Sequence, residues 1–120
     1  MTLKQARRYA RKWQRRLGLR DWDVTVRFVH PDDYQDPNCT LGECRRHHAK
    51  KTAQLVLRRP GNNTRDQWPQ GSIKLTILHE LLHLHTSGWE PGGDTAENKM
   101  MEQMVHQVSL TLRTLEKGQR

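Results

Sequence analysis

The sequence predicts a small α+β protein with its elements in the order α-β-β-β-α-α. Three observations carry that reading. Residues 2–17 repeat apolar side chains at helical spacing. Three short strand-like runs follow between Trp22 and Arg58. Two further helical stretches are separated by Pro91-Gly92-Gly93. At 120 residues, 1–120 is the expected length of a single domain. A hydrophobic fraction of 33% is low for a globular chain, so the core is expected to be small.

The first helix is read from Leu3, Ala6, Tyr9/Ala10, Trp13 and Leu17, which recur at three- and four-residue steps and stop at Gly18. Lys4, Arg7, Arg8, Arg11, Lys12, Arg15, Arg16 and Arg20 fall between them, with no acid, and form a basic outer face. Trp22 to Val29 alternates as a half-buried strand and ends at Pro31. A loop rich in Asp and Pro covers 31–38. Thr40 to His47 is a weak strand, and Lys51 to Arg58, with Ala53-Gln54-Leu55-Val56-Leu57, a firmer one. Lys50-Lys51 marks the hairpin between them. Residues 60–71 form a long loop. The next helix starts near Ser72, the expected N-cap, and ends at Ser87-Gly88. Asp94-Thr95-Ala96-Glu97 reads as a capping box, with Asp94 or Thr95 as cap. The last helix runs to about Leu115, with Met101, Met104, Val105, Val108 and Leu112 as its apolar stripe. Met100, Met101 and Met104 are expected to fill core. Gly118-Gln119-Arg120 is expected to fray.

The chemistry sits in His79-Glu80-Leu81-Leu82-His83, a complete H-E-x-x-H. Histidines at i and i+4 share one helical face, so two imidazoles can grip one ion. Glu80 lies about 100° around the helix from His79, within reach of a water activated there. This is why the pattern reads as a zinc site with a general base. Ser72, Thr76, Glu80, His83 and Ser87 fall on the same side of the helix as His79. Ile73, Ile77, Leu81 and Leu84 fall opposite, with Leu78 and Leu82 flanking. The expectation is one greasy face for the core and one small, polar face open to a substrate.

Two histidines leave a catalytic zinc one protein ligand short. A glycine and a further ligand at fixed offsets beyond the second histidine would complete it in one class of such enzymes. Those positions hold Thr86 and Trp89, which excludes that class. The other solution is a glutamate on a neighbouring helix, and the last helix offers Glu97 and Glu102. Glu97 lies in the first turn, where the helix dipole alone favours an acid. Glu102 borders the apolar stripe and is the expected ligand, with Glu97 as the alternative.

The string from His79 to His83, a Gly/Pro turn, then Met101-Glu102-Gln103-Met104-Val105 resembles the gluzincin metallopeptidases. In size the chain is similar to the minigluzincins and to short zinc-peptidase-like proteins of phages and bacteria. SprT-like proteins are a weaker comparison, since they use a third histidine. The specific resemblance covers about residues 72–110; upstream only the order of elements matches. It implies a small zincin-like domain, one zinc ion held by His79, His83 and Glu102, Glu80 as base, and a peptide or protein substrate cleaved at a peptide bond. It also implies an edge strand at the cleft rim, from residues 53–58 or 40–46, against which an extended peptide pairs. A histidine or tyrosine usually stabilises the developing oxyanion; His106 and Tyr34 are the candidates. One departure concerns the acid that often stands one turn after the ligand glutamate and orients a zinc histidine. Here that position is His106.

The remaining residues have plainer readings. His85 points about 160° away from His83 and is not expected to bind the ion. His30, His47 and His48 read as surface histidines. Trp68 and Trp89 either wall the cleft or pack under their loops. Cys39 and Cys44, in a chain with no apolar signal segment, read as free thiols in the cytoplasm; with His47 and His48 they would be poorly spaced metal ligands. No run of 18 apolar residues is present, which excludes a membrane-spanning helix. The net charge of +8 leaves two uses for the basic helix and for Arg45-Arg46-His47-His48-Ala49-Lys50-Lys51. They are solvated surface, or they attract nucleic acid through phosphates without base readout. The competing function is therefore a catalytically inactive, zinc-containing scaffold that binds nucleic acid or a protein partner through its basic face. The intact Glu80 argues against it.

Overall fold

The computed structural model describes residues 1–29, 42–58, 70–88 and 93–118. The order of elements is the predicted one: α1 (Leu3–Arg16), β1 (Asp23–Val29), β2 (Gly42–His47), β3 (Thr52–Arg58), α2 (Gln70–Thr86) and α3 (Ala96–Gly118). The described residues form a small α+β fold with three helices and a three-stranded mixed sheet. No described helix is long and apolar enough to cross a membrane.

Local chemistry fixes the helix ends. Thr2 caps α1 by accepting from the Gln5 amide, and the Gln5 side chain accepts from the Thr2 amide in return. Thr95 caps α3 by accepting from the Asn98 amide at 3.1 Å. Of the two caps expected, Asp94 and Thr95, the structure uses Thr95, and the Asn98 side chain donates to the Gly93 carbonyl at 2.8 Å in place of the reciprocal bond expected from Glu97. Ser72, expected as a cap, lies inside α2, which begins at Gln70.

The sheet order is β1-β3-β2. β3 runs parallel to β1 and antiparallel to β2. A turn from His48 to Lys51, closed by the Lys51 amide on the His48 carbonyl, joins β2 to β3. β3 is central, which explains its continuous apolar run: Leu55, Val56 and Leu57 are all fully buried. Being central, residues 53–58 cannot serve as an edge strand, which removes one of the two rim candidates. Among the described strands β2 is the outer one that packs against α2.

The helices α1 and α2 pack on one face of the sheet. Ala6 and Ala10 let α1 approach closely, with Tyr9 and Trp13 beside them. α2 contributes Ile73, Ile77, Leu78, Leu81 and Leu84, and the sheet contributes Val26, Ala53, Leu55 and Leu57. α3 meets principally α2, so it buries only a narrow stripe of Met101, Val105 and Ser109, with Leu112 half-buried. The wider stripe expected for this helix is not buried. Met104 is 51% exposed and Val108 40%, and Met100 is also exposed, so only Met101 fills core as expected of all three methionines. One neighbouring helix covers one side of α3 and leaves the flank in solvent.

The far end of α3 is tied to α1 by Glu116. Its carboxylate accepts from Tyr9 Oη at 2.7 Å, Lys12 Nζ at 2.6 Å and Arg113 Nη1 at 3.1 Å. Partial burial alone would raise its pKa. The three donors outweigh that and hold it at about 2, against an ordinary 4.5. Burial and the same carboxylate push the Tyr9 phenol up, so it stays a donor.

One close approach decides where β2 lies. A Cβ on Gly42 would sit 2.8 Å from Thr76 Cγ2, 3.1 Å from Leu57 Cδ2 and 3.2 Å from the Val56 carbonyl. Only glycine lets this strand lie on α2 at that point.

Two predictions follow from this packing. A carboxylate with a depressed folded pKa stabilises fully above about pH 4.5, and the contribution is lost as pH falls toward about 2. After discounting for solvent at Lys12, the clasp is worth about 2 kcal/mol. Glu116→Gln should therefore lower the melting temperature at pH 7 by about 4–8 °C and flatten its acid dependence over that window. An unchanged acid profile would show that Glu116 is not the group responsible. Gly42→Ala should cost about 1–3 kcal/mol in a denaturant titration. Adding Thr76→Ser, which keeps the hydroxyl and deletes the clashing methyl, should recover part of that loss.

Candidate metal centre

α2 places His79 and His83 one turn apart, with ring centroids at 5.0 Å and their Nε2 atoms 3.2 Å from each other. α3 brings a carboxylate to the same point. Glu102 Oε2 lies 3.2 Å from His79 Nε2, and Glu102 Oε1 lies 3.0 Å from His83 Nε2. Among the described residues, His79, His83 and Glu102 form the group of potential ligands that converges this closely. Glu97 is exposed in the first turn of α3 and is not part of it.

The spacing can be tested against an ion. Ligand bonds of about 2.0–2.1 Å in a tetrahedron put neighbouring donor atoms about 3.3 Å apart. The Nε2–Nε2 separation of 3.2 Å is close to that edge length, and each nitrogen has a different Glu102 oxygen at 3.0–3.2 Å, so the carboxylate spans the pair. Two imidazole nitrogens and one carboxylate oxygen are also the donor set that zinc takes when a coordination position is kept open. The residues present fit zinc.

The environment prepares the donors. The His83 side chain is 7% exposed, that of His79 21% and that of Glu102 47%. The cluster is thus closed on the His83 side and open beside Glu102. Burial, and next the neighbouring His83, hold His79 below the usual histidine range, against the opposing pull of Glu102. His79 is therefore a neutral imidazole at pH 7, the form that ligates metals.

The face of α2 around the histidines is less open than its residue types suggest. Thr86 and Ser87 are buried along with His83, and Thr76 lies against Gly42 of β2. The small residues let β2 approach, and they do not line an open groove along the whole helix. Among the described residues of this face, Thr76, His79 and Glu80 keep partial exposure, while His83, Thr86 and Ser87 are buried. Glu80 is half-buried beside His79. The glycine of a weak strand was the available signal for the approach of β2.

Other candidates separate clearly. The exposed His106, one turn beyond Glu102, has its ring centroid 6.1 Å from that of His79 and stands at the open rim. His85 is exposed and apart from the cluster. Cys44 packs against the core, while His47 alternates to the other face of β2, so these two do not share a site. His48 is used structurally. Its Nδ1 lies 3.2 Å from Ser87 Oγ, and its ring fills the space beside Gly88, whose φ of +98° turns the chain at the end of α2. His30, Tyr34, Cys39, Trp68 and Trp89 lie outside the described residues.

Comparison of the chain with protein-family models, with curated proteins and with solved structures returned no match.

Metal binding is the property to measure here. Native mass spectrometry should find one zinc per chain, and His79→Ala, His83→Ala and Glu102→Ala should each reduce affinity by about 10-fold or more, while Glu97→Ala should not. Retention of full affinity in Glu102→Ala would remove α3 from the site. Because the unfolded chain binds a proton more tightly than folded His79, this group's contribution is complete above about pH 6.5 and falls below it, so zinc affinity should drop in the same direction.

Proposed function

We propose that this protein is a zinc-dependent metallopeptidase of gluzincin type with a small zincin-like fold, acting in the cytoplasm. The observation that carries the reading is the convergence of His79 Nε2, His83 Nε2 and the Glu102 carboxylate within 3.0–3.2 Å, with an acid, Glu80, next to the first histidine. A bound zinc supplies a Lewis acid that activates water and polarises a carbonyl.

The chain's own residues do the rest. His79, His83 and Glu102 would hold the ion. Glu80 takes a proton from the attacking water and delivers it to the leaving amine. His106 stands at the open rim near His79, where an imidazole N–H can donate to the developing oxyanion. Among the described strands β2 is the outer one and packs beside α2, the position that the gluzincin resemblance gives to the cleft rim. Glu43 and Arg45, joined by an ion pair at 2.8 Å, share the face of β2 opposite Cys44.

A second reading is favoured by one observation. Arg7, Arg8, Arg11, Arg15 and Arg16 are all exposed on α1. An inactive zinc-containing scaffold that holds nucleic acid through this face would use them without using Glu80.

Glu80→Gln separates the readings. It should keep the zinc and lower cleavage of a peptide library by about 100-fold or more. A wild-type protein that loads zinc but cleaves nothing, with tight oligonucleotide binding that collapses as salt rises, would favour the scaffold.

A further inference from the structure

The sheet has a second edge, far from α2. β1 pairs only with β3 among the described strands. The Asp23 amide donates to the Lys51 carbonyl at 2.8 Å, on the β3 side. Peptide groups alternate in direction along a strand, so Asp23, Thr25, Arg27 and Val29 turn their amides and carbonyls toward β3. Val24, Val26 and Phe28 turn theirs to the open edge. Their side chains face the core side, so what they present outward is backbone.

This edge forms one wall of a groove of about 350 Å³. Val24 to Val26 make that wall, and Arg7, Ala10 and Arg11 of α1 make the other. No acid is among the residues that line the groove. Arg7 and Arg11 are exposed, and among the described residues neither is paired with a carboxylate. Gln14, also in the groove, is already committed to the Leu19 and Trp22 carbonyls. Two like charges one helical turn apart repel one another, and an anionic ligand relieves that cost.

We propose that this groove binds an acidic, extended segment of another protein, which adds a strand to β1 and sets alternate carboxylates on Arg7 and Arg11. The dimensions agree. Residues one turn apart on a helix are about 5–6 Å apart, and alternate side chains of a strand about 6.6 Å. The strand edge gives affinity through backbone pairing, and the two guanidiniums give selectivity for carboxylates. A nucleic acid could use the arginines but not the backbone edge. The site lies on the edge of the sheet away from β2 and the histidine cluster, so it stands whether or not the peptidase reading does.

The test uses the whole protein and short fluorescein-labelled peptides of alternating glutamate and valine. The controls are a lysine–valine peptide, a glutamate–valine peptide N-methylated at alternate residues, and a single-stranded thymidine oligonucleotide. The acidic peptide should bind by fluorescence anisotropy, and the lysine and N-methylated peptides should not. Hydrogen exchange at the Val24, Val26 and Phe28 amides should slow in the complex. The double variant Arg7→Glu, Arg11→Glu, both exposed positions, should lose acidic-peptide affinity by roughly tenfold or more and gain affinity for the lysine peptide. Glu102→Ala should bind the acidic peptide like the parent protein. Equal binding of the N-methylated peptide, or unchanged exchange at those three amides, would overturn strand addition. Oligonucleotide binding that competes at the same arginines, with no effect of N-methylation, would assign the surface to phosphates instead.

Discussion

Everything in this small protein leans on α2. The helix is packed by α1, α3 and the β2–β3 side of the sheet, and it supplies five of the buried aliphatic residues of the core. A helix of mostly apolar residues can accept neighbours on several sides only if its remaining positions are small or can be satisfied. Thr76, Thr86 and Ser87 provide the small positions. The two histidines provide the others, and they are placed where α3 can bring a carboxylate to them.

That arrangement has an electrostatic consequence. Two imidazole nitrogens face each other at 3.2 Å, and one carboxylate straddles both. Burial keeps His79 neutral, so its lone pair is available and little repulsion arises between the rings. The same geometry suits a cation with an open position, which is why the cluster is better understood as a proposed metal centre than as a core polar network. α3 is held to α2 by only a narrow stripe, so the placement of Glu102 depends on how that helix is anchored. Thr95 anchors its start, and the Glu116 clasp with Tyr9 and Lys12 anchors its end.

The sheet gives the molecule two different edges. β2 lies against α2 because Gly42 admits Thr76, and among the described strands it is the outer one on the α2 side. β1 lies beside α1, whose arginines flank its open backbone. A three-stranded sheet with a parallel and an antiparallel pair makes these edges chemically distinct, one half-covered by the motif helix and the other bordered by positive charge.

Much of this was legible in the sequence because it depends on local physics. The period of Leu3, Ala6, Tyr9/Ala10, Trp13 and Leu17, the alternation from Trp22 to Val29, and the His79–His83 spacing are consequences of helix and strand geometry, so element order and motif face follow from the residues alone. The structure places Glu102 and not Glu97 beside the histidines. The sequence favoured this from the border of the apolar stripe, without being able to measure it. What the sequence could not decide depends on which elements touch. The centre of the sheet fell to β3, since strand pairing is a long-range choice, and that settled which rim candidate is an edge. Met104 and Val108 were left in solvent because α3 has one principal neighbour, a fact no helical wheel contains. The polar side of α2 was closed around His83 because Gly42, distant in sequence, allows β2 to come down on Thr76. Local geometry set what each segment became, and tertiary contact set which faces were covered and which stayed open.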